Sequence, residues 1–191
     1  MRHNKAFTFL ELMVTVSMIV TVLTLSSVAY RNSAKRIEII YTAQSLAGSG
    51  RLMQAYAASS KAWKDVAGNN IWGLYIDKNN SSEYKLWVDT NTNETYETDE
   101  LYKTIQFPKQ ITISKIVCTI GTDEPVEIDS AAISFTPPNP LVKITRNNNT
   151  TTEVPVANNF CDTLHITLKD SFNQSEKVVS LNFFGLIDVE R

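Results

Sequence analysis

The chain is poor in the parts from which catalytic centres are usually assembled. It has two histidines, and neither has a ligand at zinc-like spacing: His3 lies among the basic opening residues and His165 stands alone. There is no glycine-rich phosphate loop, no nucleophile elbow and no metalloprotease helix, and nothing selects a triad from the scattered Ser and Asp residues around His165. An enzyme is therefore not expected. Charge of one sign is lacking too. With 18 Lys and Arg against 20 Asp and Glu, the net charge of −2 supplies no field for a nucleic acid or a strongly anionic partner. Cysteine is scarce: Cys118 and Cys161 stand far apart. An oxidising compartment permits one disulfide between them, closing a loop of about forty residues worth about 3 to 4 kcal/mol. The other reading is two separate buried thiols.

What the chain does have is a long uncharged run. Met1, Arg2, His3, Asn4 and Lys5 are short and basic, the apolar segment begins at Ala6 and Phe7, and no charged side chain occurs from Leu12 to Tyr30. As a helix, Phe7 to Tyr30 covers about 36 Å at about 1.5 Å per residue, enough to cross a hydrocarbon core of about 30 Å. Arg31, Lys35 and Arg36 end it. Positive charge before the segment favours an N-terminus in the cytoplasm. Ser27, Val28 and Ala29 offer a small-x-Ala site of the secretory type, but the run exceeds an ordinary signal core of about 7 to 15 residues. It also carries an acid, Glu11. A charge at the centre of a membrane helix costs about 2.5 to 3.5 kcal/mol, less near the interface, so Glu11 is by default a functional residue awaiting a cation. The small residues Ser17, Thr21, Thr24, Ser26, Ser27 and Ala29 would permit close helix contact.

Beyond the membrane segment, Ile37, Ile40, Tyr41, Ala43, Leu46, Ala47, Met53, Tyr56 and Ala57 recur at spacings of three and four. This predicts an amphipathic continuation of the same helix, ending at the Gly68-Asn69-Asn70 cluster, with its apolar face as the spine of a core. The period then changes to two. Strands are predicted at Ile71 to Asp77, Tyr84 to Thr90, Ile111 to Thr119, Ala131 to Thr136, Val142 to Arg146, Thr163 to Leu168, Lys177 to Asn182 and Leu186 to Glu190. The expected plan is α+β, a long N-terminal helix packed on an antiparallel sheet. Its parts are a leader at 1–6, a membrane helix at 7–30, an amphipathic half at 31–67 and a β-rich head at 68–191.

The stretch Lys5-Ala6-Phe7-Thr8-Phe9-Leu10-Glu11-Leu12 resembles the type IV prepilin signal, with Ala6 where that family usually has Gly. The resemblance implies cleavage between Ala6 and Phe7 by a prepilin peptidase and N-methylation of Phe7. It also implies pairing of Glu11 with the N-terminal amine of a neighbouring subunit during assembly. Trp72 to Asp77, Ile133 to Pro137, and Val178 to Asn182 leading to Gly185 look like strand landmarks of the GspH/FimT-type minor pseudopilins within the pilin-like group. The implied fold is pilin-like. The implied partners are other pilin or pseudopilin subunits, the peptidase and an inner-membrane assembly platform, with the head outside the cytoplasm and a type IV pilus or type II secretion filament as product. FimT-type proteins of DNA uptake carry a basic C-terminal motif. Here Gly185 is followed by Leu186-Ile187-Asp188-Val189-Glu190-Arg191, and DNA binding is not supported. A different class of function, a membrane-anchored extracytoplasmic binding module that forms no filament, stays open.

One polar constellation invites a cation. Asp89-Thr90-Asn91-Thr92-Asn93 and onward to Glu100 places oxygens at positions 1, 3, 5 and 12 of a calcium loop, with Glu94 where the turn usually has Gly. Asp89, Asn91, Asn93, Glu97 and Glu100 are the candidate calcium ligands. The alternative is a solvated acidic hairpin.

Overall fold

Fifty residues without a proline form one helix, α1, Phe9–Ala58. The computed structural model describes residues 8–64, 70–138, 141–147, 160–172 and 174–190. The leader with Ala6 and Phe7, and the Gly68-Asn69 turn, lie outside the described residues. The chain divides into two compact units, Met1–Glu38 and Ile39–Arg191. In the first, α1 presents apolar side chains on every side, and Phe9–Ser27, with mean hydropathy 2.0, is long and apolar enough to cross a membrane.

The second unit is α+β. Among the described residues ten strands follow the helix: β1 Ile71–Asp77, β2 Glu83–Asp89, β3 Leu101–Gln106, β4 Ile111–Thr119, β5 Val126–Glu127, β6 Ser130–Thr136, β7 Leu141–Asn147, β8 Thr163–Asp170, β9 Glu176–Asn182 and β10 Ile187–Val189. They form two antiparallel sheets rather than the single one expected, in the orders β3-β2-β1-β6-β7 and β10-β9-β8-β4-β5. Trp72, Leu74, Ile76, Leu86, Ile133 and Phe135 of the first sheet share one buried cluster with Ile111, Ile116, Leu164, Ile166 and Leu181 of the second. Alternate residues point into it, as the two-residue pleat requires. In β4 the pairing with β8 shifts between Ile113 and Lys115, so the buried set steps from Ile113 to Ile116. An extra residue there re-phases the strand and keeps isoleucines inward on both sides of the irregularity.

The helix joins this core through Ile39, Ala43, Leu46, Ala47, Met53 and Ala57. Steps of three and four from Ile39 keep these on one side. Ile37, Ile40 and Tyr41, expected in that spine, are 52%, 39% and 67% exposed. At about 100° per residue they fall away from the Ile39 row. The helix also ends earlier than expected, at Ala58. Ser60 adopts φ 48°, its N–H donates to the Ala57 carbonyl (2.9 Å), and the Lys61 N–H donates to the Tyr56 carbonyl (3.0 Å). This is a left-handed helix stop with serine in the place glycine usually takes, which is why no glycine signal announced it.

Cys118, near the end of β4, is bonded to Cys161, 43 residues away. The Cys161 N–H donates to the Ile144 carbonyl of β7 (2.9 Å), and Phe160 forms a bridge with Thr145. The disulfide therefore ties the second sheet to a segment hydrogen-bonded to the edge of the first.

Candidate functional site

The start of α1 is where chemistry and exposure coincide. Thr8 precedes the first helical residue; its Oγ1 accepts the Glu11 N–H at 3.3 Å, and its carbonyl accepts the Leu12 N–H at 3.1 Å. Thr8 thus caps the helix, and Thr8-x-x-Glu11 has the spacing of a capping box, of which the forward bond is present. That pattern was readable in the sequence and makes Thr8 the residue that fixes the start of the helix beside Glu11. Glu11 stands in the first turn, where a carboxylate meets the positive end of the helix dipole. Among the described residues its carboxylate has no partner.

None of the side chains from Phe9 to Ser27 is buried. Four hydroxyls in this stretch bond back to the helix. Thr15 donates to the Leu12 carbonyl (2.9 Å), Ser17 to Met13 (2.9 Å), Thr21 to Met18 (2.8 Å), and Thr24 to Thr21 (3.2 Å) with a second contact to Val20. Their hydroxyls are already spent inside the helix. They leave small, dry positions for another helix rather than free hydrogen-bonding groups.

Comparison with protein-family models, with curated proteins and with solved structures finds no match.

The five candidate calcium ligands lie in one loop, but their oxygens face N–H groups. Asp89 Oδ1 accepts from the N–H of Asn91 (3.0 Å) and Thr92 (2.6 Å), and Oδ2 from Glu94 (2.7 Å). Glu100 Oε1 accepts from the Thr90 N–H (2.9 Å) and Oε2 from Glu97 (3.3 Å). The amides of Asn91 and Asn93 donate to Glu97 at 3.2 and 2.8 Å. Glu94, at the position where a calcium loop usually has Gly, takes the left-handed φ of 59°. A hard cation needs oxygen lone pairs converging at about 2.3 to 2.6 Å. Here most of those lone pairs are directed at N–H donors, and among the described residues no group of His, Cys, Asp or Glu side chains is arranged to hold a metal.

The loop does something the sequence reading missed. Tyr96 stacks on Tyr75 of β1 (4.5 Å between centroids, 23°) and meets Trp87 of β2 edge-on (6.2 Å), while Glu94 pairs with Lys143 of β7. It is a flap folded over the outer face of the first sheet, and its Tyr96 ring lies against Trp87, which is fully buried. Glu100, beneath it, is buried; desolvation, with the nearby Asp89 and Glu97 carboxylates, outweighs its N–H bonds and raises its pKa above the ordinary value of 4.5. His165 lies against Glu190 (3.1 Å), and Arg51 donates to the Ile187 carbonyl (2.7 Å), so the C-terminal strand is engaged with its neighbours.

Proposed function

We propose that this chain is a prepilin-like assembly protein. In this reading a prepilin peptidase cuts between Ala6 and Phe7, Phe7 is N-methylated, and the helix holds the protein in the inner membrane. The mature chain then enters a type IV pilus-like or type II secretion filament as a minor pilin or pseudopilin. One observation carries the reading: a capped apolar helix without buried side chains, Phe9–Ser27, whose sole acid is Glu11 in its first turn. A bare apolar stem is stable only in a bilayer or among other stems. An acid at its start is stable there when a cation neutralises it, and a neighbouring subunit's N-terminal amine is such a cation.

Two further features favour assembly. The hydroxyls of Thr15, Ser17, Thr21 and Thr24 are bonded within the stem, which suits close packing of one stem on another. Tyr30, Ile37 and Tyr41, spaced by seven and four, add exposed apolar side chains further along α1. The test is Glu11→Ala, expressed with the filament machinery of its own cell. The expected result is a membrane-inserted, disulfide-bonded protein that no longer appears in sheared filaments. If Glu11→Ala is incorporated as well as the parent, the acid has no assembly role, and an anchored extracytoplasmic binding module becomes the better account.

A further inference from the structure

Four aromatic rings meet where α1 ends. Tyr56 of α1, Trp72 of β1 and Tyr102 of β3 pack edge to face, with centroids 4.9 Å apart for Tyr56 and Trp72, 5.3 Å for Trp72 and Tyr102, and 6.5 Å for Tyr56 and Tyr102. Trp63 closes the side at 4.9 Å from Tyr102. The interplanar angles of 66°, 81° and 89° make the first three rings the walls of a corner rather than a stack. Tyr102 reaches it through an irregularity: Leu86 pairs with Lys103 and Trp87 with Leu101, leaving Tyr102 unpaired between them. Such bulges re-aim a side chain.

Among the described residues two lysines meet these rings: Lys64 Nζ lies 5.5 Å from the Trp63 centroid, and Lys61 faces the other three. Lys61 Nζ is 3.4 Å from the Tyr56 centroid, 5.4 Å from Trp72 and 5.8 Å from Tyr102. Among the described residues no carboxylate lies within ion-pair reach of it. A primary ammonium carries three donors and holds its water strongly, and Lys61 Nζ meets the faces of these rings with no hydrogen bond to a tyrosine hydroxyl among the described contacts, so its donors are poorly used there. An ammonium whose hydrogens are replaced by methyl groups loses nothing there. The backbone at this point is held separately, since the Lys61 carbonyl accepts from Trp72 Nε1 (3.2 Å) and Asn70 Nδ2 (3.4 Å). The lysine side chain can leave without moving the site.

We propose that Tyr56, Trp72 and Tyr102 form a cation cage for a quaternary or N-methylated ammonium group, and that Lys61 is a tethered occupant which such a ligand displaces. The test uses the full chain in neutral maltoside micelles, titrated with choline chloride against ammonium chloride at equal ionic strength and read by tryptophan fluorescence. Lys61→Ala is expected to give a saturable response at about tenfold lower choline than the parent, the ratio that one desolvated cation–π contact supports. Tyr102→Leu added to Lys61→Ala is expected to abolish it, with unchanged far-ultraviolet dichroism showing that the fold persists. A second arm reconstitutes the chain in ethanolamine-lipid vesicles with or without choline lipid, which separates a headgroup from a free ligand. A response to either source supports the cage. No response to both in Lys61→Ala, or a response that survives Tyr102→Leu, overturns it.

Discussion

Two glycines give the sharpest quantitative test of the packing, because the same added methyl group should act in opposite directions. At Gly73, in the middle of β1, a Cβ would lie 2.4 Å from Cε2 and Nε1 of Trp87 and 2.6 Å from the Ile133 carbonyl oxygen. Neither neighbour can yield easily. The indole is fully buried beneath Tyr96, and the carbonyl belongs to β6, which pairs with β1. Overpacking of this kind costs about 1 to 3 kcal/mol, offset by about 0.4 to 1 kcal/mol from the stiffer unfolded chain. The difference spans about 0 to 2.6 kcal/mol, and contacts this short on a buried indole and a backbone oxygen put Gly73→Ala in its upper half, at about 1.5 to 2.5 kcal/mol. At Gly48, exposed on α1, nothing lies within 4 Å of the added atom. Gly48→Ala should stabilise by about 1 kcal/mol, the helix-propensity difference. Urea unfolding of the chain in neutral micelles, followed by tryptophan fluorescence, should move the midpoint down for one and up for the other. A neutral or stabilising Gly73→Ala would mean that Trp87 does not lie across β1, and the flap account would fall with it.

Three other outcomes follow from named contacts. Replacing both Cys118 and Cys161 by Ser should cost about 4 kcal/mol, the chain-entropy value for a loop of this length; urea midpoints equal to the parent would show that the bridge does not constrain the head. Glu100 binds its proton more tightly folded than unfolded, so its contribution is fully present below 4.5 and is lost as pH rises through its raised value. The stability of the parent relative to Glu100→Gln should therefore fall across that window, and a difference that rises with pH would contradict the burial argument. Since Asp89 and Glu100 already accept N–H bonds, millimolar calcium should shift Tm by less than about 1 °C. A rise reversed by a chelator would make the loop a cation site after all.

The local strands were legible because a buried face repeats every second residue: Ile71–Asp77 and Ile111–Thr119 have the bounds their alternation predicts. Two strands were not. In Leu101–Gln106 every residue is exposed or half-buried, so no apolar alternation marks it, and Val126–Glu127 is a two-residue edge beside a proline. The division into two sheets depends on β1 pairing with β6 and β4 with β8, contacts between distant segments that no local period encodes. The helix stripe from Ala43 to Ala57 lies in the core as expected, and only its start was misplaced, because exposed Ile37, Ile40 and Tyr41 are as apolar as the buried set. At the N-terminus Glu11 stood out at once as an acid in an apolar run, whereas the cap by Thr8 was overlooked beside it. The acidic loop was read from its oxygens alone, and the aromatic anchor at Tyr96, which places it over the sheet, carries no spacing signal.

The central claim is that this chain is processed and assembled as a prepilin. Intact-mass and N-terminal peptide analysis of the protein recovered from membranes of a host with a prepilin peptidase tests it most directly. The account predicts a mature chain that begins at Phe7 with a methylated amine. A chain that begins at Met1, or at Tyr30 after cleavage behind Ala29, would contradict it.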